Sequence, residues 1–141
     1  MNQLPDFFEP IVDLMTGYIE AREDHWTLQT QGGHYINGPY VQALLEHDNM
    51  ILIEAVSNKF LRPELPEAGH TALLFMGWRF FPGEHYPNYA QMLNLGTYSA
   101  REIALKMAQA LHFAYGVDEN YAFVIAPQNE VSRKLRLEGE I

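Results

Sequence analysis

Six histidines are the residues best suited to chemistry in this chain: His25, His34, His47, His70, His85 and His112. An imidazole can ligate a metal or move a proton near neutral pH. Ligation from one helix face needs His-x-x-x-His or His-Glu-x-x-His spacing, and no pair has it. Carboxylates flank two of the rings, in Glu46-His47-Asp48 and Glu84-His85. A general base needs such a neighbour. Adjacent residues on a strand point to opposite faces, however, so adjacency in sequence works against contact. Both stretches read as turn or loop. Ser57, Ser99 and Ser132 lack a Gly-x-Ser-x-Gly elbow, and Ser99 reads instead as a helix cap. There is no cysteine, which removes thiolate nucleophiles, thiolate metal sites and disulfides.

Glu54 is the carboxylate of most interest, because it interrupts the apolar run Met50-Ile51-Leu52-Ile53. A buried polar group there needs a partner, and Asn58 or a backbone amide would serve. A structural role for Glu54 outweighs a catalytic one. The expectation is a chain with no catalytic residue, no cofactor and no metal. A small acid/base enzyme built on Glu54 and a histidine is the minor alternative. A small-ligand sensor with an apolar pocket between sheet and helices is another.

Binding chemistry is better represented. Phe80, Phe81, Tyr86 and Tyr89 are interleaved with Pro82, Gly83 and Pro87, so these rings are expected to be partly exposed. Exposed aromatics are hot-spot material at interfaces. Met50, Met76, Met92 and Met107 suit an adaptable apolar surface, although any one methionine is more often core. Phe80, Phe81, Tyr86 and Tyr89 are therefore the partner-binding candidates, with Glu54 and Asn58 as a structural or partner-facing polar pair.

The totals agree with a binder. The chain has 141 residues, 48% hydrophobic and 13% aromatic, which supports a core and one domain over 1–141. Eighteen acidic and nine basic residues leave a net charge of -9. That disfavours nucleic-acid phosphates and anionic membranes as partners. It serves solubility, or a basic partner. No cysteine, no basic-then-apolar leader and no membrane-length apolar run are visible, and a cytoplasmic location is expected.

The positioning elements follow from periodicity. Leu4 to Glu23 reads as a helix with apolar residues every three to four positions, Pro10 in its first turn and Asp6 or Glu9 as cap. Trp26 to Thr30 alternates as a strand, and Gln31-Gly32-Gly33-His34 is a hairpin loop. Tyr40 to Leu45 and Met50 to Val56 are strands joined by the turn residues His47-Asp48-Asn49. Both faces of this pair carry apolar residues, as in a strand covered twice, by the chain's own helices or by a second subunit. Leu65 to Gly77 reads as a helix turning Ala68, Thr71, Ala72, Phe75 and Met76 inward. Trp78 to Phe81 and Tyr89 to Leu95 are strand candidates. Tyr98 to Gly116 is the clearest helix, opened by the capping box Ser99-x-x-Glu102. Tyr121 to Ala126 is a last extended segment. Residues 127–141 are a charged tail, or a short helix on Val131, Leu135 and Leu137.

Taken together, YVQALLEHDNMILIEAVSNKFL (40–61), LLFMGWRFFP (73–82), Pro87-Asn88-Tyr89 and LHFAYGV (111–117) resemble the bacterial type III secretion chaperone-like family called TY-Chap. The likeness spans roughly Trp26 to Phe123. Tyr89 stands where that family usually has Trp, and the basic first half of its second helix is missing here. The resemblance implies a secretion-chaperone-like α+β fold, with three helices on one side of a twisted antiparallel sheet of about five strands. The element order would be α-β-β-β-α-β-β-α plus an extended C-terminal segment. It also implies a non-enzymatic protein binder that holds a partner or client polypeptide, often as a homodimer.

Overall fold

The computed structural model describes residues 3–82 and 87–127. Tyr86, His85, Glu84, Ser132 and the segment 128–141 lie outside the described residues. A 3-10 turn at Asp6–Phe8 leads into α1, Glu9–Glu20, with Pro10 in its first turn. Neither Asp6 nor Glu9 caps the helix through its side chain as expected; Phe8 holds the cap position. Three strands follow: β1 (His25–Gln31), β2 (Tyr40–Leu45) and β3 (Met50–Ala55). Then come α2 (Glu67–Phe75), β4 (Arg79–Pro82) and β5 (Pro87–Asn94). The long helix is α3, Ala100–Gln109, continued by a π-helical turn at Ala110–Ala114. The expected capping box between Ser99 and Glu102 is present in both directions. The last strand is β6, Ala122–Pro127.

The sheet has six antiparallel strands in the order β4-β5-β3-β2-β1-β6, one more than the five expected, because the C-terminal extended segment pairs with β1. The β2–β3 hairpin turns through Asp48 and Asn49, both at positive φ (56° and 63°). Asp and Asn tolerate that region better than other side chains do.

Register explains the layering. Val41 faces Ala55 and Ala43 faces Ile53, so the β2 and β3 apolar rows share one face. Trp26, Leu28, Ile51 and Leu93 join them, and the buried residues of α1, α2 and α3 cluster there. The opposite face carries Leu44, Leu52, Phe81, Met92 and Val124, which stay outside that core. Phe81, Met92 and Val124 are 56%, 49% and 64% exposed.

Helix α2 follows its expected inward face only in part: Ala72 and Met76 pack, half-buried, against the core, but the rest is shifted. Gly69 and Leu73 are buried, whereas Ala68 and Thr71 are exposed and Phe75 is 88% exposed. Close packing decides this. A Cβ at Gly69 would lie 2.7 Å from the Ala114 carbonyl oxygen, so this turn must present its glycine to the helix end. Gly38 serves a similar purpose before β2, where a Cβ would overlap the Thr30 carbonyl oxygen. Gly38→Ala is expected to cost about 1–3 kcal/mol, as overpacking does. A urea midpoint equal to that of the parent chain would refute this.

Candidate functional site

The free edge of β4 is where the sheet meets the aromatic residues picked out above. All four residues, Arg79 to Pro82, are exposed, and among the described residues β4 pairs on one side only. Register then orients the backbone. Pro82 is opposite Pro87, and neither has an N–H. That pair cannot exchange the two bonds of a hydrogen-bonded pair, so by alternation Phe81–Asn88 and Arg79–Ala90 are the bonded pairs. The N–H and C=O of Phe80 therefore point outward, away from β5. The side chains agree: partners in a non-bonded pair stand closer, and the Phe80 and Tyr89 ring centroids are 5.4 Å apart, edge to face.

Beside this edge lies a pocket of about 340 Å3 lined by Ser57, Asn58, Lys59, His70, Phe80, Pro87 and Tyr89. A chain of hydrogen bonds holds its wall. Leu65 N donates to Asn58 Oδ1 at 2.7 Å, which turns the Asn58 amide nitrogen toward His70 Nε2 at 3.1 Å. Nε2 is then the acceptor, so the imidazole proton sits on Nδ1, which faces the Tyr89 hydroxyl. Ser57 N donates to Asn88 Oδ1 at 3.1 Å and ties the loop to β5. Phe80, Pro87 and the Tyr89 ring give the lining apolar surface, and Asn58, His70 and Lys59 add polar groups, so the pocket suits an apolar side chain with a polar neighbour.

Of the six partner-binding candidates, the structure brings Asn58, Phe80 and Tyr89 to this pocket and puts Phe81 on the same strand. Tyr89 is buried at 5%, so it forms pocket wall rather than a protruding ring. Glu54 is elsewhere. It lies on the opposite sheet face and accepts from Gln42 Nε2 at 2.5 Å, so it does not pair with Asn58. The Gln42 amide oxygen in turn lies 3.4 Å from His25 Nε2. A glutamine thus stands between the Glu54 carboxylate and the His25 imidazole.

His47 Nδ1 does reach Asp48 Oδ2 at 3.1 Å, because the pair sits in a turn where strand alternation does not apply. Both side chains are about nine-tenths exposed, so the contact is screened and weak. Among the described residues no group of three His, Asp or Glu could hold a metal ion. No described helix is long and apolar enough to cross a membrane.

His70 was not foreseen at the site, since it meets Asn58 and Tyr89 only through the tertiary fold. The groove lined by Ala72, Phe75, Met76, Gln109 and Phe113 was likewise hidden by the phase of α2.

Buried tyrosines brace the site from below. Tyr35 Oη donates to the Tyr115 carbonyl at 2.9 Å, and Tyr115 Oη donates to the Val56 carbonyl at 2.5 Å, just before the pocket loop. Burial pushes the Tyr115 hydroxyl well above the ordinary phenol range. Burial also raises Tyr35, Tyr89 and Tyr121, aided by Tyr121, Glu67 and Asp118 respectively. A raised phenol keeps its proton in the folded state after the unfolded state has lost it. Stability is therefore fully present below about pH 10 and falls as pH rises beyond it. Urea titrations at pH 8 and above pH 10 should show that loss, with a shallower slope for Tyr115→Phe. Equal slopes would contradict the assignment.

A family model described as T3SS (YopN, CesT) and YbjN peptide-binding chaperone 3, TY-Chap3, matches residues 14–125. No curated protein and no solved structure matches the chain.

Proposed function

The chain belongs to the TY-Chap3 family of peptide-binding chaperone domains, and we propose that it holds an extended client segment at the β4 edge, as a non-catalytic homodimer. The observation that carries this reading is a pocket sited directly against outward-facing main chain. Phe80 supplies both: its ring lines the pocket, and its N–H and C=O face solvent. A free strand edge pairs with extended polypeptide, and adjoining pockets for alternate side chains give selectivity. Phe80, Phe81, Tyr89 and Asn58 are the contact residues in this reading. Tyr86, on the connection between β4 and β5, is proposed to join them. Glu54 serves the opposite face of the sheet.

The homodimer is supported by apolar surface the subunit leaves uncovered among the described residues. Phe75 is 88% exposed and Leu74 50%, in addition to Phe81, Met92 and Val124. Phe75 and Leu74 are neighbours on α2, and exposed apolar side chains grouped in this way are material for association. Light scattering should return twice the subunit mass of 16.2 kDa. A monomer mass at every concentration tried would remove the dimer but leave the edge site standing.

An immobilised array of overlapping peptides tests the function itself. The proposal expects a subset of extended, apolar-rich peptides to be retained by the parent chain and lost with Phe80→Ser. Retention of the same subset by both proteins would overturn it. Cytoplasmic localisation is part of the proposal, and the lack of cysteine fits it.

A further inference from the structure

We infer that the β4 edge selects its client by three consecutive side chains in the order apolar, apolar, acidic. The inference rests on the edge pairing proposed above and adds the register and the chemistry. Phe80 is the strand residue with both main-chain groups directed outward, and Pro82 has no N–H to offer, so pairing is short. A client residue opposite Phe80 exchanges both bonds with it. Side chains of directly opposed residues share a face. The side chain of that client residue therefore falls on the pocket side, over Phe80 and toward Tyr89 and Pro87.

The residues on either side of it fall on the other face. One meets Phe81, which is 56% exposed and wants an apolar neighbour. The other meets Arg79, which is exposed and makes no ion pair among the described residues; its guanidinium only donates to the Trp78 carbonyl, at 3.2 Å. In a chain of net charge -9, this cation on the edge has an acidic side chain as its complement. Every pairing in the sheet is antiparallel, and an added antiparallel strand meets Phe81, Phe80 and Arg79 in that order. The recognised core is then an apolar residue, a second apolar residue and an acid.

A fluorescein-labelled peptide, Ser-Gly-Ser-Phe-Val-Asp-Ser-Gly-Ser, tests this by anisotropy. Replacing its Asp with Lys should weaken binding to the parent chain by about five-fold or more, since a favourable cross-strand pair becomes a like-charge pair. The preference should reverse for Arg79→Glu, a substitution at an exposed position that the fold tolerates. N-methylation of the peptide Val should abolish binding, and the reversed core Asp-Val-Phe should bind more weakly. Equal binding of the Asp and Lys peptides to both proteins would overturn the inference, as would equal binding of the reversed core. Failure of every form of this peptide, while array-selected peptides still bind, would also overturn it and leave edge pairing intact. Failure of the array peptides as well would remove both.

Discussion

Truncation of Trp26 to alanine is expected to lower the free energy of unfolding by about 3–5 kcal/mol, the range for removing a buried large aromatic. Trp26 is 0% exposed near the start of β1, with β2 on one side and β6 on the other. Its ring meets Tyr18 of α1 edge to face at 5.6 Å, so it joins the first helix to the sheet. Its indole N–H has no hydrogen-bond partner among the described residues, so the loss is one of packing and not of a polar contact. Chemical denaturation measures the effect. A change below about 1 kcal/mol would mean that the sheet and α1 are not held together there.

Phe80→Ser is expected to weaken peptide binding by about thirty-fold or more, the loss that follows removal of an interface hot spot of ~2 kcal/mol. The ring is 45% exposed, so its replacement leaves most of the core untouched. What disappears is one wall of the pocket and the edge-to-face contact that orients Tyr89. Leu14→Ser is the control. It removes an apolar side chain that is 50% exposed on α1, which contributes nothing to the pocket, and should leave affinity unchanged. Equal losses from both substitutions would indicate a diffuse apolar effect instead of a site.

Much of this architecture was legible because local rules decide it. The hairpin of β2 and β3 follows from alternation and from the turn residues Asp48 and Asn49, which adopt positive φ as such residues can. The start of α3 follows from a capping box whose two bonds both form. The exposure of Phe80 and Phe81 beside Pro82 was legible for a similar reason, whereas Tyr89, expected to be partly exposed, is buried by its place in β5.

The rest depended on contacts between distant residues. The phase of α2 is set by the fit of Gly69 against Ala114, which no periodicity in a nine-residue helix can reveal. The partner of Glu54 is Gln42 because the two are opposed in the β2–β3 register, and register could not be chosen from strands that are apolar on both faces. The expectation that both sheet faces need cover is met on one side by the helices. The other side keeps exposed apolar residues, and these support the proposed association.

Hydrogen exchange at single amides tests the edge most directly. Without peptide, the Phe80 amide faces solvent and should exchange fast, while the Phe81 amide, bonded toward β5, should exchange slowly. A saturating array-selected peptide should slow exchange at Phe80 and leave the amides of β6 unchanged. A Phe80 amide that exchanges at the same rate with and without bound peptide would contradict the account.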